Sequence, residues 1–577
     1  MAYFLKQSKF KKGTYLQIYE SFRDPETKAV KHKSFKAIGY LDALIESGIE
    51  NPIEYYQKEV DALNLDRRKR IELNKIRKVA EDPTKNLGHV LPKGVLNKLG
   101  VAKDIRYMNL MRDFSFDIYD IFEDLVCSRM VSPCSKLKTW EEIIPSLYVQ
   151  HEYSLNQVYE AVEFIGSEYE KFIEVFNHHI AKVYGRKTSK VYFDCTNYYF
   201  EIDSEFEDKM KGPSKEKRND PIIGMALMLD ENQIPIGMKM YPGNESEKPK
   251  LRNMVKELKD RNQITGKTIQ VADKGLNCSE NIVSALLNKD GYIFSKSVKQ
   301  LPKKEMDWVF LNYAKYVEVY EENESNGKPD KVLKYKYREC IDEFEYEVVT
   351  KDGKKKKVLL PEKRILTWNP ELAKKQKHEI QRLMDKAVML SSYKAKRSEY
   401  GDAAKYVNFV SIDKETGEVS SEDKVVAVIN EKKFEDDMKF AGYNLLVTSE
   451  TKMSAKEVYR VYHNLWRIEE SFRILKSQLD ARPVYLHKKE SIYGHFLICY
   501  VAVLLLRLLQ FNTFNGEISY NEILNFIQNF KCILDKKTAI NISSLKLVKK
   551  IDDRLNLNFS NYFFSDKDIE KMLKSAF

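Results

Sequence analysis

A chain of 577 residues implies three or four domains at roughly 150 residues each, and its 43% hydrophobic and 32% charged content excludes a globally disordered chain. The 97 Lys and Arg against 86 Asp and Glu, net +11, lean only weakly towards polyanions, so any nucleic-acid surface has to be a local patch. Seven scattered cysteines without a C-x2-C pair exclude a disulfide framework and a structural zinc site, and point to a reducing cytoplasm. The first residues, MAYFLKQSKFKKGTYLQ, lack an apolar signal-peptide core. The longest apolar run, 496–506, stops at Arg507, short of the roughly 20 residues that span a bilayer. It reads as a buried helix, with no membrane involved.

In chain order, residues 13–22 and 30–38 are rich in β-formers and flank Asp24-Pro25-Glu26-Thr27, which predicts a hairpin. Residues 45–85 are polar and helical, with the basic cluster Arg67-Arg68-Lys69-Arg70. Helical periodicity fills 117–185, broken at Ser132-Pro133 and Ile144-Pro145. The pattern then becomes α/β: a strand at 190–196, a polar loop at 212–218, a hairpin at 222–229 and 234–240, a helix at 247–262, a strand at 267–272, a helix at 279–289 and a strand at 291–298. From 300 to 440 the text is charged and mixed, including the Lys354–Lys357 run, with β-like pieces around a helix at 370–387. One long helix at 455–480, the apolar helix at 493–510 and a helical tail over 520–577 complete the chain.

The helix at 455–480 is the best specified element. Ser454 with Glu457 forms a capping box, Val458, Val461, Leu465, Ile468, Phe472, Leu475 and Leu479 form one apolar stripe, and Pro483 marks the exit. At 100° per residue, Tyr462, Glu469 and Lys476 fall within about 40° of each other, on the margin of that stripe beside Trp466 and Arg473. Alone, this is an amphipathic helix with a Glu469–Arg473 pair at i,i+4 spacing.

Two further acids change the balance. Asp194 interrupts a strand of Val191, Tyr192 and Phe193, where a short charged side chain is costly. Asp273 ends a second strand and precedes Lys274-Gly275, a good position for a ligand site in an α/β sheet. Either acid alone reads as a cap or turn residue. Together with Glu469 they can hold two divalent metals about 4 Å apart, which activate a water or 3′-hydroxyl for phosphodiester displacement. Mg2+ suits such hard oxygen ligands, with Mn2+ as a substitute. Hairpin strands followed by βαβ and a late acid-bearing helix fit a ribonuclease-H-like core.

These residues carry a resemblance. The chain resembles a bacterial insertion-sequence transposase of the DDE type, in the group whose last acid lies in Y-x2-R-x3-E-x6-K. Here Tyr462, Glu469 and Lys476 keep the pattern, and Leu465 replaces its Arg; Arg467 and Arg473 are candidates to compensate. Residues 465–476, Arg482-Pro-Val-Tyr485, His495, Tyr192-Phe-Asp194, Ser214-Lys-Glu-x-Arg218, Tyr241-Pro-Gly-Asn244 and Val271-Ala-Asp-Lys-Gly275 are similar to a long branch of that group. The resemblance implies an α/β ribonuclease-H-like catalytic core with an inserted β-rich domain, plus α-rich N-terminal and C-terminal regions. It implies Asp194, Asp273 and Glu469 as catalytic metal ligands, and Tyr462, Lys476, Arg473, Lys215 and Arg218 as DNA contacts. The 196 residues between Asp273 and Glu469, against 79 between the first two acids, call for an insertion at about 300–445, which the resemblance implies is largely β and covers the active site and DNA ends. Trp308 and Trp368 in it are candidates, by residue type, to hold a flipped base, with packing the more ordinary role.

The expected segments are 1–100, a β-hairpin and basic region binding DNA ends; 101–187, helical; 188–299 and 446–515, the two parts of the core; 300–445, the mainly β insertion; and 516–577, helical. The expected partners are the terminal inverted repeats and target DNA, with a homodimer pairing two ends. The function expected is cutting at element ends and joining of 3′-hydroxyls to target DNA. A ribonuclease-H-like DNA nuclease without strand transfer would give no joined products, and an inactive DNA-binding derivative would bind ends without metal-dependent cleavage.

Overall fold

The computed structural model describes residues 3–23, 29–79, 84–109, 112, 114–148, 151–216, 218–262, 266–310, 315–325, 328–349, 352–393, 396–411, 425–535 and 538–577. The chain divides into a unit ending at Thr84 and a unit from Lys85 to Phe577.

In the first unit, β1 (Tyr3–Phe10), β2 (Gly13–Arg23) and β3 (Val30–Tyr40) form an antiparallel sheet. The β2–β3 hairpin is the one expected; its turn, 24–27, lies outside the described residues. β1 escaped sequence reading because Lys6, Gln7, Ser8 and Lys9 interrupt its apolar content. Leu16 and Ile18 of β2 are fully buried, and the Asn64 side chain, on the helix Pro52–Val79, bonds both the N–H and the carbonyl of Tyr3. Arg67 reaches Glu20 at 3.4 Å; the side chains of Arg68, Lys69 and Arg70 lie outside the described residues.

In the second unit Ile118–Val131 stops before Ser132-Pro133 as expected, whereas helical structure runs on through Ile144-Pro145 and the chain becomes extended only at Leu147. Helix α1 (Leu155–Ser167) starts at a complete capping box between Ser154 and Gln157. β4 (Lys190–Tyr199), β5 (Ile222–Leu229), β6 (Pro235–Pro242), β7 (Ile269–Ala272) and β8 (Gly291–Lys296) then build a sheet in the order β6-β5-β4-β7-β8. β5 is antiparallel to both its neighbours, while β4, β7 and β8 run parallel.

The segment after β8 continues this sheet. β9 (Val317–Ser325), the 22-residue β10 (Lys328–Val349), β11 (Lys355–Trp368) and β12 (Tyr443–Thr448) add on in the order β8-β12-β11-β10-β9, each antiparallel to the next. The 300–445 insertion is therefore mixed: its long strands belong to the core sheet, and the helix Pro370–Ser392 forms a small separate core with Tyr400, Tyr406 and Val407.

The helix expected at 455–480 is broken in two. α2 (Ala455–His463) and α3 (Trp466–Arg473) meet at a tight turn, where Leu465 N–H bonds the Tyr462 carbonyl at 3.0 Å and Ile468 N–H bonds that of Leu465 at 3.0 Å. These i to i−3 bonds overwind the chain, and a wide π turn at Ile474–Gln478 underwinds it again. Of the capping box, the bond from Glu457 N–H to the Ser454 hydroxyl forms, at 3.2 Å.

α4 (Lys489–Leu508) is long and apolar enough to cross a membrane, yet its apolar stretch is wholly buried. It crosses α1 at two glycines: a Cβ on Gly166 would lie 1.7 Å from the Glu490 carbonyl oxygen, and one on Gly494 would lie 2.0 Å from that of Val162. The tail is not all helical. Strands Lys531–Asp535, Thr538–Asn541 and Phe563–Ser565 pair antiparallel among its helices.

The first unit ends at Thr84, where the expected N-terminal segment ran to 100, because the helix Val90–Leu99 packs in the second core. One hydrophobic core runs through the segments 101–187, 188–299, 446–515 and 516–577. A sheet face must be covered by helices, and this chain draws those helices from both ends of its sequence.

Candidate active site

β4 and β7 fix two acids side by side. Tyr192 pairs with Val271 and Phe193 with Ala272; Asp194 follows in β4, and Asp273 follows the last residue of β7. Phe193, Cys195 and Ala272 face the smaller core, while Tyr192 and Val271 face the larger. Alternation therefore aims both acids at the face on which α2 and α3 pack. It also turns Cys195 to the opposite face.

The Asp194 Oδ1 accepts the Cys195 N–H at 2.8 Å and lies 3.9 Å from the Lys215 ammonium. Burial pushes its carboxyl up to about 6; Lys215 and the backbone bond oppose this, and the charges of Glu247 and Asp273 add to it. Asp273 accepts a hydrogen bond from the Tyr462 hydroxyl at 3.0 Å. Burial, then the Asp273 charge, raise that phenol well above its ordinary value. Glu469, on α3, is exposed; what burial it has, together with the Asp273 charge, raises its carboxyl, and Arg473 opposes. The three predicted acids thus share one electrostatic neighbourhood.

The predicted cations divide. Lys215 stands inside the cluster, 3.5 Å from Glu247 and donating to the Cys195 carbonyl. Lys476 points to the 212–218 loop instead, 3.3 Å from Glu216, which also pairs with Arg482. Burial lowers the Lys476 ammonium, with Arg482 and Lys215 adding and Glu216 opposing. Arg218 stacks 3.9 Å over the Tyr199 ring and pairs with Asp220 at 2.7 Å. Arg473 is exposed and reaches Glu470, not Glu469, at 3.7 Å. Arg467 binds Glu470 at 3.0 Å and lies over Trp466 at 3.8 Å, so neither arginine takes the place that Leu465, itself buried, leaves empty of charge.

Sequence reasoning missed Glu247 and gave no role to Glu216 and Arg482, although both lie in the quoted stretches Ser214–Arg218 and Arg482–Tyr485. Glu247 follows the Tyr241-Pro-Gly-Asn244 motif by three residues, the one signal available for it. A cleft of about 570 Å³ opens here, lined by Asn197, Lys215, Tyr241, Glu247, Lys248 and Gly275 among others. Trp308 and Trp368 are packing residues: Arg338 lies 5.0 Å over the first ring, and the Trp368 indole N–H donates to the Ala441 carbonyl at 3.2 Å. His179 is committed to the Leu99 carbonyl and Asp104, each at 2.7 Å.

Asp194 midway along β4, Asp273 just past the C-terminal end of β7 and Glu469 on α3 make up a carboxylate set of the kind that hard cations take. No three His, Cys, Asp or Glu side chains among the described residues sit closely enough to hold an ion as placed. The donor set still fits a divalent cation, because neighbouring carboxylates raise both Asp194 and Glu469 and a bound cation relieves that repulsion.

The chain matches the family model of the transposase DDE domain, DDE_Tnp_1, over residues 200–505, more than half of its length, and belongs to that family. By class it is a DNA transposase, a metal-dependent DNA-cleaving enzyme. Asp273 and Glu469 fall inside the matched span, and Asp194 lies six residues before it. Among solved structures the chain is similar to piggyBac transposase in a synaptic complex with hairpin DNA, seen by cryo-EM, at a TM-score of 0.36 and 11% identity over 78% of each chain. No curated protein matches.

Proposed function

We propose that this chain is the transposase of a bacterial insertion sequence, cutting at element ends and joining the freed 3′-hydroxyls to target DNA. The observation that carries the reading is the placement of Asp194 and Asp273 on adjacent parallel strands with the Glu469 carboxylate in the same neighbourhood. The strand order β6-β5-β4-β7-β8, with β5 alone reversed among them, supports a ribonuclease-H-like core in which β4 is central.

Asp194, Asp273 and Glu469 would hold Mg2+, with Mn2+ as a substitute; bound there, the metal supplies activation of a water or 3′-hydroxyl and stabilises the leaving oxygen. The remaining work falls to the chain. Tyr462 holds Asp273 by its Oδ1, which fixes one donor before any ion arrives. Lys215, beside Asp194, and Lys476, beside Glu216 of the 212–218 loop, would contact phosphate oxygens, as would Arg473 and Arg218. DNA ends are read by the first unit, and two copies pair two ends. The site of action is the cytoplasm, with no membrane.

The test is a plasmid carrying the DNA that flanks the coding sequence, incubated with protein and Mg2+. Cleavage at imperfect inverted repeats followed by joined products supports the reading, with Asp194→Asn and Glu469→Gln at background. Cleavage without joined products favours a nuclease. End binding with no cleavage by the natural chain favours an inactive derivative, and full cleavage by Glu469→Gln overturns the site assignment.

A further inference from the structure

A second cavity, of about 350 Å³, lies between the Ile118–Val131 helix, the 480–486 loop and α4. Its wall holds two buried cations. Arg129 is 4% exposed and its guanidinium donates to the Cys134 carbonyl at 2.9 Å. Lys136 is 5% exposed and its ammonium has the His495 Nδ1 at 3.4 Å as partner. That imidazole is neutral, since burial and then Lys136 and Arg129 push its protonation well below the ordinary value. Among the described residues, neither cation has a carboxylate within ion-pair distance, and the acid of the cavity wall, Asp480, is exposed.

An uncompensated buried cation is costly, and two together repel as well. Lys136 shows the cost: burial, then Arg129, lower its ammonium to about 7. Two such groups opening into one cavity are accounted for by an anion that enters it. The rim indicates which anion. Arg482 lines the same cavity and also pairs with Glu216, the partner of Lys476, so the cavity adjoins the cations of the 212–218 loop. Tyr485, 71% exposed, stands at its edge, offering a flat face to a base next to a bound phosphate.

We propose that this cavity is a phosphate-binding subsite, in which Arg129 and Lys136 take one backbone or terminal phosphate of a DNA strand that runs from the candidate active site past Arg482 and Tyr485. That the phosphate belongs to DNA rests on the transposase reading; that the cavity takes a phosphate does not.

The full chain is tested without divalent metal, so that the acid cluster contributes no bound cation. Thermal melting compares inorganic phosphate with chloride at equal ionic strength, and fluorescence anisotropy measures binding of a short oligonucleotide. Lys136→Met is expected to melt no lower than the natural chain, to lose the protection by phosphate, and to bind the oligonucleotide at least tenfold more weakly; Lys136→Arg is expected to restore most of that binding. Arg482→Gln, at the rim, gives the same oligonucleotide reading if Lys136→Met does not fold. Unchanged oligonucleotide binding in the variants overturns the proposal, and so does protection by inorganic phosphate with no effect on DNA, which marks a free-anion site. Glu469→Gln assayed for cleavage in parallel separates the two readings: its failure to abolish cleavage sinks the active-site assignment while leaving the phosphate result standing.

Discussion

Asp194 holds its proton to about pH 6 because β4 keeps its carboxyl from water and sets it beside Glu247 and Asp273. An acid raised in this way costs stability once it ionises. The cost begins above the unfolded value near 4, grows through about 6 and is complete at higher pH. At about 1.4 kcal/mol per pH unit it amounts to roughly 2–3 kcal/mol. Asp194→Asn is therefore expected to raise the melting temperature of the metal-free chain at pH 7.5, with the gain gone by about pH 4; a gain independent of pH would contradict this electrostatic origin. Tyr462→Phe removes one hydrogen bond to a charged group, worth about 1.5–3 kcal/mol. Its expected effect is a lower melt of the apo chain together with weaker Mn2+ binding, by about tenfold in calorimetry. Asp194 and Asp273 were legible because a carboxylate is out of place in an apolar strand. Glu216, Glu247 and Arg482 were not, because charged residues in loops look alike until the fold brings them to a site.

The helix that carries Glu469 is anchored from behind. Arg507, fully buried on α4, binds Glu470 at 2.7 Å, the Ser471 hydroxyl at 3.1 Å and the Arg467 carbonyl at 3.3 Å. Glu470 is 7% exposed, so removing one partner strands a buried charge. Arg507→Met is expected to destabilise by about 3–5 kcal/mol, and pairing it with Glu470→Met to recover much of that loss; chemical denaturation of both variants checks it. The α1–α4 crossing is equally specific. Gly494→Ala forces a Cβ onto the Val162 carbonyl and is expected to cost about 1–3 kcal/mol, measured the same way. Element positions were readable from periodicity, but the break at Asn464-Leu465 was not. The apolar stripe continues through it without a glycine or proline, and only packing on β4, β7 and β8 separates two helices from one.

Across the whole molecule, the first unit has its own buried residues, Leu16, Ile18 and Val60, and the large core begins at Leu87. Residues 85–577 expressed alone are expected to keep a cooperative melt, and to lose discrimination between cognate ends and random DNA in a competition assay. Retained discrimination would place end recognition in the second unit. The insertion behaves differently: β12 pairs with β8 and β11 with β12, so it extends the catalytic sheet and is not an independent body. Part of the net charge of +11 also acquires a place, since Lys215 stands beside Asp194 while Lys476 and Arg482 converge on Glu216.

The sequence by itself determined the class of element along most of the chain, the order of the three acids and the length of the interruption between the last two. Those properties are local: a side chain in the wrong setting, a period of two or of 3.6, a count of residues. The tertiary structure alone decided that segments far apart in sequence share one core, that the inserted strands join the existing sheet, and that Lys476 faces Glu216 while Arg473 faces Glu470. Such outcomes depend on which surfaces meet, and burial and pairing free energies between distant residues leave no periodic trace in the chain that encodes them.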